Sequence, residues 1–435
     1  MKTKIKAPKV KVITLGCSKN LVDSENILSQ LKENDYEVMH EGKGKADIVI
    51  INTCGFIDRA KEESIQTILE YSDMKASGKI EKLFVTGCLS QRYKADLQPE
   101  MPEVNGFFGT MDMPDLIKAV GGDYRHELLG ERPILSTASH YAYLKISEGC
   151  NRTCSFCAIP LMRGDHRSRS KEEILQEAKN LVRNGVKEVM LIAQELTYYG
   201  LDLYKKRELP ALLRSLCSIE GLEWIRLHYA YPHKFPMEII EVMREEKKIC
   251  NYLDMPLQHG SDAMLKAMKR QITREETTKL IGAIRDMLPD IAIRTTMLVG
   301  FPGETEQDIE ELTDFIKEMN FERLGVFEYS HEEGTSGYEL DESVDAITKA
   351  ERAAYLMDIQ QDISHKLNQQ KIGKSYKVLF DRKEGNYFIG RTEYDSPEVD
   401  NEVLVSAKEK YVRMGDFAEV RITDATEFDL IGELL

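Results

Sequence analysis

The chain has no apolar run close to the roughly 20 residues that cross a bilayer. Its residues 1–6 are basic with no apolar segment behind them, so neither a membrane span nor a secretory leader is expected. A disulfide framework is missing too: eight cysteines are scattered over 435 residues, and the reducing compartment this implies keeps thiolates available for metal. The expectation is a soluble, cytoplasmic protein. Positive charge is in deficit, with 59 Lys and Arg against 74 Asp and Glu for a net −15. That balance argues against a broad nucleic-acid footprint, although a local basic patch would override it. Internal repeats of solenoid period and low-complexity tracts are absent. At this length one core is outgrown, and about three domains are expected.

The most informative absence is a fourth cysteine. Gly149-Cys150-Asn151-Arg152-Thr153-Cys154-Ser155-Phe156-Cys157 follows an apolar run that reads as a strand, and the next cysteine is Cys217. Three thiolates hold three corners of an iron-sulfur cube and leave the fourth iron open, which points to chemistry at the cluster rather than electron relay. Zinc is the competitor, because Cys154 and Cys157 have the pair spacing of a structural site and His166 would complete one. Composition alone leaves the two readings level. The Cys-x-x-x-Cys-x-x-Cys spacing resembles the signature of radical S-adenosylmethionine enzymes. That resemblance implies an open iron that chelates the methionine end of S-adenosylmethionine.

Toward the amino terminus, apolar runs at 10–15, 47–51 and 83–85 alternate with helix-like segments at 24–32 and 59–71. Such alternation predicts an α/β fold, here an open parallel sheet with helices on both faces. Cys17, Cys54 and Cys88 each fall just beyond the carboxyl end of a strand, next to Gly16, Gly55 or Gly87. Open α/β sheets bind ligands at that edge, so three distant cysteines are expected to converge on a second cluster with one open iron. Buried packing is the plainer reading of one such cysteine. It suits Cys217 and Cys250, which have no comparable neighbours.

From residue 143 the alternation resumes, with apolar runs at 143–146, 188–193, 224–228, 252–257, 293–299 and 324–329. Six strand-helix units predict a partial (β/α) barrel with its chemistry at the carboxyl ends. Cys150, Gln194, Glu195, His228, Gln258, His259, Gly300, Tyr329 and Ser330 gather there. His228 and His259 read equally as acid-base groups or as satisfied strand-end histidines. The turn 301–305 reads either as a tight strand-helix connection or as a close approach to a ligand. Positive charge concentrated at 162–169 suits a solvated loop or a guide for a substrate carboxylate.

A long amphipathic stretch at 346–371 leads to five short strand-like runs, at 376–380, 387–390, 403–405, 418–422 and 429–434. They predict a small antiparallel β-barrel of the oligonucleotide-binding kind. Residues 372–435 carry 9 Lys and Arg against 14 Asp and Glu. A nucleic-acid module should be basic, so this one better suits a basic protein partner.

Three amino-terminal cysteines, the triplet and the small last barrel together resemble the methylthiotransferase family, whose final domain is called TRAM. The organisation expected is a cluster-binding domain at 8–125, a radical S-adenosylmethionine domain at 136–367 and a TRAM domain at 368–435. One branch of the family modifies an adenosine of transfer RNA and another an aspartate of small-subunit ribosomal protein twelve. The chain looks like the second branch in Cys17-Ser18-Lys19-Asn20-Leu21-Val22-Asp23-Ser24-Glu25, Met162-Arg163-Gly164-Asp165, Met255-Pro256-Leu257-Gln258-His259 and Asp395-Ser396-Pro397-Glu398-Val399-Asp400. It departs at Glu195, where an aspartate commonly follows the glutamine.

The resemblance implies two 4Fe-4S clusters. One, on Cys150, Cys154 and Cys157, reduces S-adenosylmethionine to a radical that takes hydrogen from the aspartate β-carbon. The other, on Cys17, Cys54 and Cys88, holds the sulfur. It further implies Gln194, Glu195, Gln258 and Gly300 as S-adenosylmethionine contacts, and an external electron donor and sulfur source. A transfer-RNA methylthiotransferase, a non-catalytic iron-sulfur carrier and a zinc-dependent nucleic-acid-binding protein are the alternatives.

Overall fold

The computed structural model describes residues 7–42, 44–408 and 410–435; the basic segment 1–6 lies outside them. Strands β1 (Lys9–Thr14), β2 (Glu37–His40), β3 (Ile48–Thr53), β4 (Lys82–Gly87) and β5 (Gly106–Phe107) form a parallel sheet in the order β2-β1-β3-β4-β5. Alternation along these strands separates two cores. Val10, Val12, Ile48, Ile50 and Phe84 face one way, Val49, Ile51, Leu83 and Val85 the other, and helices cover both faces. The edge strands β2 and β5 escaped the sequence reading because they are short and only partly buried.

Strands β6 (Tyr141–Lys145), β7 (Ser147–Glu148) and β8 (Arg167–Ser168) come next, β7 and β8 pairing as a small antiparallel ribbon. β9 (Glu188–Ile192), β10 (Trp224–Leu227), β11 (Ile249–Asp254), β12 (Ala292–Val299) and β13 (Arg323–Glu328) follow. The central sheet runs β13-β12-β11-β10-β9-β6, wholly parallel and open at both edges, as a partial barrel should be. Its outer face is the largest apolar core, with Leu144, Leu191, Leu227, Leu253, Ile293 and Met297 packed under the helices. Three of those helices start from capping boxes, at Ser170/Glu173, Thr273/Glu276 and Thr305/Asp308, which fix where each leaves its strand-end loop. The expected long helix spans Ala346–Gln369 and lies against β13.

The last five strands are β14 (Ser375–Glu384), β15 (Tyr387–Arg391), β16 (Val403–Ser406), β17 (Phe417–Ala425) and β18 (Leu430–Leu434). They close in the order β14-β15-β16-β18-β17 around Val378, Phe380, Phe388, Val405 and Val420. One pairing, β16 with β18, is parallel. The antiparallel expectation therefore holds for four contacts of five, and it must fail once, since an odd ring of strands cannot alternate direction throughout.

This barrel docks on the inner face of the central sheet. Arg391 reaches Glu188 at 2.8 Å and Asp381 at 2.6 Å, and Arg226 reaches Glu188 at 2.9 Å, with Arg391, Glu188 and Arg226 deeply buried. The loop 395–400 adds Asp395 on Arg323 at 2.9 Å, Ser396 on His228 at 3.1 Å, and Asp400 on Tyr252 at 2.7 Å.

Candidate active site

Cys17 precedes the helix Ser18–Glu33, Cys54 follows β3, and Cys88 opens the helix Cys88–Glu100 directly after β4. Parallel neighbours put these three loops side by side, and glycine lets them touch. Gly16 has φ +91°, and a Cβ there would lie 2.7 Å from that of Cys54. At Gly87, φ +99°, a Cβ would meet the Thr53 carbonyl oxygen at 2.5 Å. Asn20 laces the loops together: its Nδ2 donates to the Leu15 oxygen at 2.7 Å and the Thr53 oxygen at 3.0 Å. Its Oδ1 lies 3.8 Å from the Cys88 sulfur.

Burial pushes the Cys54 thiol up to about 12, and the neighbouring Cys17 and Cys88 push the same way. Cys88 is also raised by burial, opposed by the Arg163 guanidinium. Three thiols at one sheet edge, whose thiolates would repel one another, suit a cationic metal centre, which offsets the cost of ionising them.

The second triad sits on a loop that doubles back on itself. Gly149 has φ +74°, and a Cβ there would lie 2.1 Å from the Asp165 carbonyl oxygen. The Cys150 N–H donates to the Gly164 oxygen at 3.0 Å. Two donors aim at the sulfurs: Arg152 N–H at Cys150 (3.4 Å) and Arg270 Nη1 at Cys154 (3.3 Å). Tyr231 Oη is 3.8 Å from Cys154, and its ring packs against both guanidiniums, 3.9 Å from Arg152 and 4.2 Å from Arg270. Burial raises Cys157 to about 12 and Cys150 to about 11, with backbone N–H groups of Ile159 and Arg152 pulling them back. His166, the residue that would complete a zinc site, turns its Nε2 to the Ser168 hydroxyl at 3.1 Å.

The four strand-end residues take different parts. Gln194 donates from Nε2 to Glu148 at 2.7 Å and leaves its Oε1 buried without a partner. Gln258 has φ +80° and ties its backbone to Thr296 and Leu298, while its side chain makes no hydrogen bond among the described residues. The carboxylate of Glu195 is engaged, with one oxygen on Arg152 at 2.7 Å and the other accepting from the Thr197 N–H and hydroxyl. The Gly300 N–H is taken by Glu304 at 2.8 Å, and Lys349 fills the space a Cβ would occupy.

Both histidines sit at buried strand ends among protein partners. His228 faces Ser396 of the docked barrel, and His259 accepts from the Ser261 N–H at 2.9 Å beside Glu304. The positive segment 162–169 does not face a substrate with its Arg163. That guanidinium is buried, bonded to Asp23 at 2.7 Å, Glu148 at 3.2 Å and the Asn20 side-chain oxygen. It thereby joins the helix Ser18–Glu33 behind Cys17 to the segment that follows the triplet. Arg163, Asn20, Arg270 and Tyr231 were not singled out by the sequence reading. Arg163 and Asn20 lay within runs quoted for resemblance; Arg270 and Tyr231 carried no local signal, since only the fold brings them to Cys154.

Comparison with known proteins gives three family matches: the Radical SAM superfamily over residues 144–316, Uncharacterized protein family UPF0004 over 9–109, and the TRAM domain over 372–435. The chain is 59% identical over 428 residues to the ribosomal protein uS12 methylthiotransferase RimO of Cytophaga hutchinsonii, covering 98% of both. It is 58% identical to RimO of Christiangramia forsetii, covering 100% of this chain and 96% of that one. RimO of Bacteroides thetaiotaomicron is 52% identical over 99% of each chain. Among solved structures, the radical S-adenosylmethionine methyltransferase TsrM from Kitasatospora setae matches with TM-score 0.53 and 14% identity, over 74% of this chain and 75% of that one. The cobalamin-dependent radical enzyme OxsB matches with TM-score 0.51 and 15% identity, over 82% of this chain and 56% of that one. At such identities the likeness concerns the fold.

Proposed function

This chain belongs to the RimO family of ribosomal protein uS12 methylthiotransferases, and from that premise we propose that it adds a methylthio group to the β-carbon of a uS12 aspartate using two 4Fe-4S clusters. Radical S-adenosylmethionine methylthiotransfer to a ribosomal protein is its activity class. The observation that carries the two-cluster reading is the pair of cysteine triads, each on glycine-bent loops at strand carboxyl ends and joined through Arg163.

Cys150, Cys154 and Cys157 would hold a cluster that, with S-adenosylmethionine, would supply hydrogen abstraction from an unactivated carbon, and Cys17, Cys54 and Cys88 would hold one that would supply the sulfur. The chain's own residues hold and shield. Arg270 and the Arg152 N–H stabilise negative charge on Cys154 and Cys150, and Glu195 keeps Arg152 in place. Gln194 offers its unpartnered Oε1, and Gln258 its free amide, to S-adenosylmethionine. Glu195 serves that cofactor through Arg152, and Gly300 through the turn it permits.

In this scheme residues 8–125 carry the sulfur-holding cluster, 136–367 the radical chemistry, and 368–435 contact with uS12. For that contact the barrel has outward carboxylates such as Glu384, Glu419 and Asp424, because Asp381, Asp395 and Asp400 are turned onto the central sheet. An external electron donor and sulfur source complete the reaction, and a reducing cytoplasm suits both.

Anaerobically reconstituted variants test the division of labour. Cys154→Ala should abolish reductive cleavage of S-adenosylmethionine. Cys54→Ala should retain cleavage and form no methylthio product; product from the Cys54 variant would refute the two-cluster scheme.

A further inference from the structure

Lys19 is a buried cation without a counter-ion. It is 7% exposed, two residues beyond Cys17 on the helix Ser18–Glu33, and among the described residues its Nζ has neither an ion pair nor a hydrogen bond. Its one close partner is the face of Tyr229, with Nζ 3.1 Å from the ring centroid. The carboxylates nearby are committed elsewhere. Asp23, one turn along the same helix, is held by Lys145 and Arg163, and Glu148 by the same two cations, so that group of four is balanced. Glu398 accepts from the Tyr141 and Tyr143 hydroxyls at 3.1 and 3.4 Å. A desolvated cation with only an aromatic face leaves a strong demand for an anion.

Its position says which anion. Tyr229 has φ +65°, a conformation that costs a bulky residue free energy and is retained where surroundings impose it. Two residues on, Tyr231 places its hydroxyl 3.8 Å from the Cys154 sulfur. Lys19 is therefore linked to the sulfur-holding triad by the chain, two residues past Cys17, and to the radical triad by its contact with Tyr229, two residues before Tyr231.

We infer that Lys19 receives the side-chain carboxylate of the substrate aspartate, a specificity role that rests on the methylthiotransferase reading. The carboxylate carbon is bonded to the β-carbon, so anchoring it fixes the reacting atom between the two triads. Asparagine and neutral side chains are rejected because they leave the buried ammonium unpaired.

The test compares wild type, Lys19→Met and Lys19→Arg as anaerobically reconstituted full-length enzyme, with purified uS12 as the probe. Iron content, S-adenosylmethionine cleavage without uS12, Kd for uS12 and methylthiolation kinetics are measured. Lys19→Met, nearly isosteric, should keep its iron and its KM for S-adenosylmethionine. Its kcat/KM on uS12 should fall about 100-fold with a weaker Kd, and Lys19→Arg should recover part of both. Wild-type kinetics on uS12 in Lys19→Met would overturn the inference. So would a raised KM for S-adenosylmethionine alone, which would give the cation to the cofactor's carboxylate, or a loss of iron, which would make Lys19 a support for the Cys17 loop. Failure of the wild type to modify uS12 would instead bring down the functional reading, and this inference with it.

Discussion

Gly16 and Gly149 show how single backbone positions hold the two triads. Each has positive φ, and each has the space for a Cβ occupied, by Cys54 at 2.7 Å and by the Asp165 carbonyl at 2.1 Å. An alanine would add about 1–2 kcal/mol of left-handed strain to the clash itself. Gly149→Ala should therefore lose roughly half the iron, together with S-adenosylmethionine cleavage, whereas Gly16→Ala should lose about the same iron and keep cleavage. Equal effects of both on cleavage would show that the triads are not independent sites. Arg270 offers a finer test. Its N–H donates to Cys154 and its charge favours the more negative, reduced state, so Arg270→Met should move the midpoint potential of the cleavage-competent cluster downward. An unchanged potential would reduce Arg270 to a packing residue.

Among elements, the docking of the last barrel on the central sheet has the clearest energetics. Burial alone would raise Glu188, and Arg391 and Arg226 more than offset it, holding the carboxylate ionised inside the protein. Arg391→Ala leaves Glu188 to Arg226 alone and Asp381 to His140, and should cost about 3–5 kcal/mol in urea unfolding. A loss below about 1 kcal/mol would mean that water reaches the pair. His228, at the same interface, is held well below its ordinary 6.5 by burial first and then by Arg294, Arg226 and Lys19. Unfolded it binds a proton that the folded form refuses. Stability is therefore full above about 6.5 and declines as pH falls through that value, by up to about 1.4 kcal/mol per pH unit. His228→Asn should flatten this slope between pH 7 and 5.5 without removing it, since His166 and His233 are displaced the same way. A slope identical to wild type would acquit His228. Most elements were legible in the sequence, because contiguous apolar runs separated by helix-like segments are local signals. The docking was not: Glu188 and Arg391 are 203 residues apart, and neither is unusual until the fold buries them together.

For the whole molecule, the order of three sheets follows from alternation and turn residues, and the cysteine spacing marks both candidate cluster sites. The pairing of those sites depends on side chains such as Arg163, whose partners Asn20 and Asp23 lie 140 or more residues away and which composition presents only as local positive charge. Acidity misleads in the same way, since several carboxylates of the last barrel face inward. The most direct measurement is peptide mass spectrometry of uS12 after incubation with the anaerobically reconstituted enzyme, S-adenosylmethionine, a reductant and sulfide. A methylthio group on an aspartate β-carbon, absent with Cys54→Ala and with Cys154→Ala, is the expected result. An unmodified uS12 with wild-type enzyme, or a modified one with either variant, would contradict it.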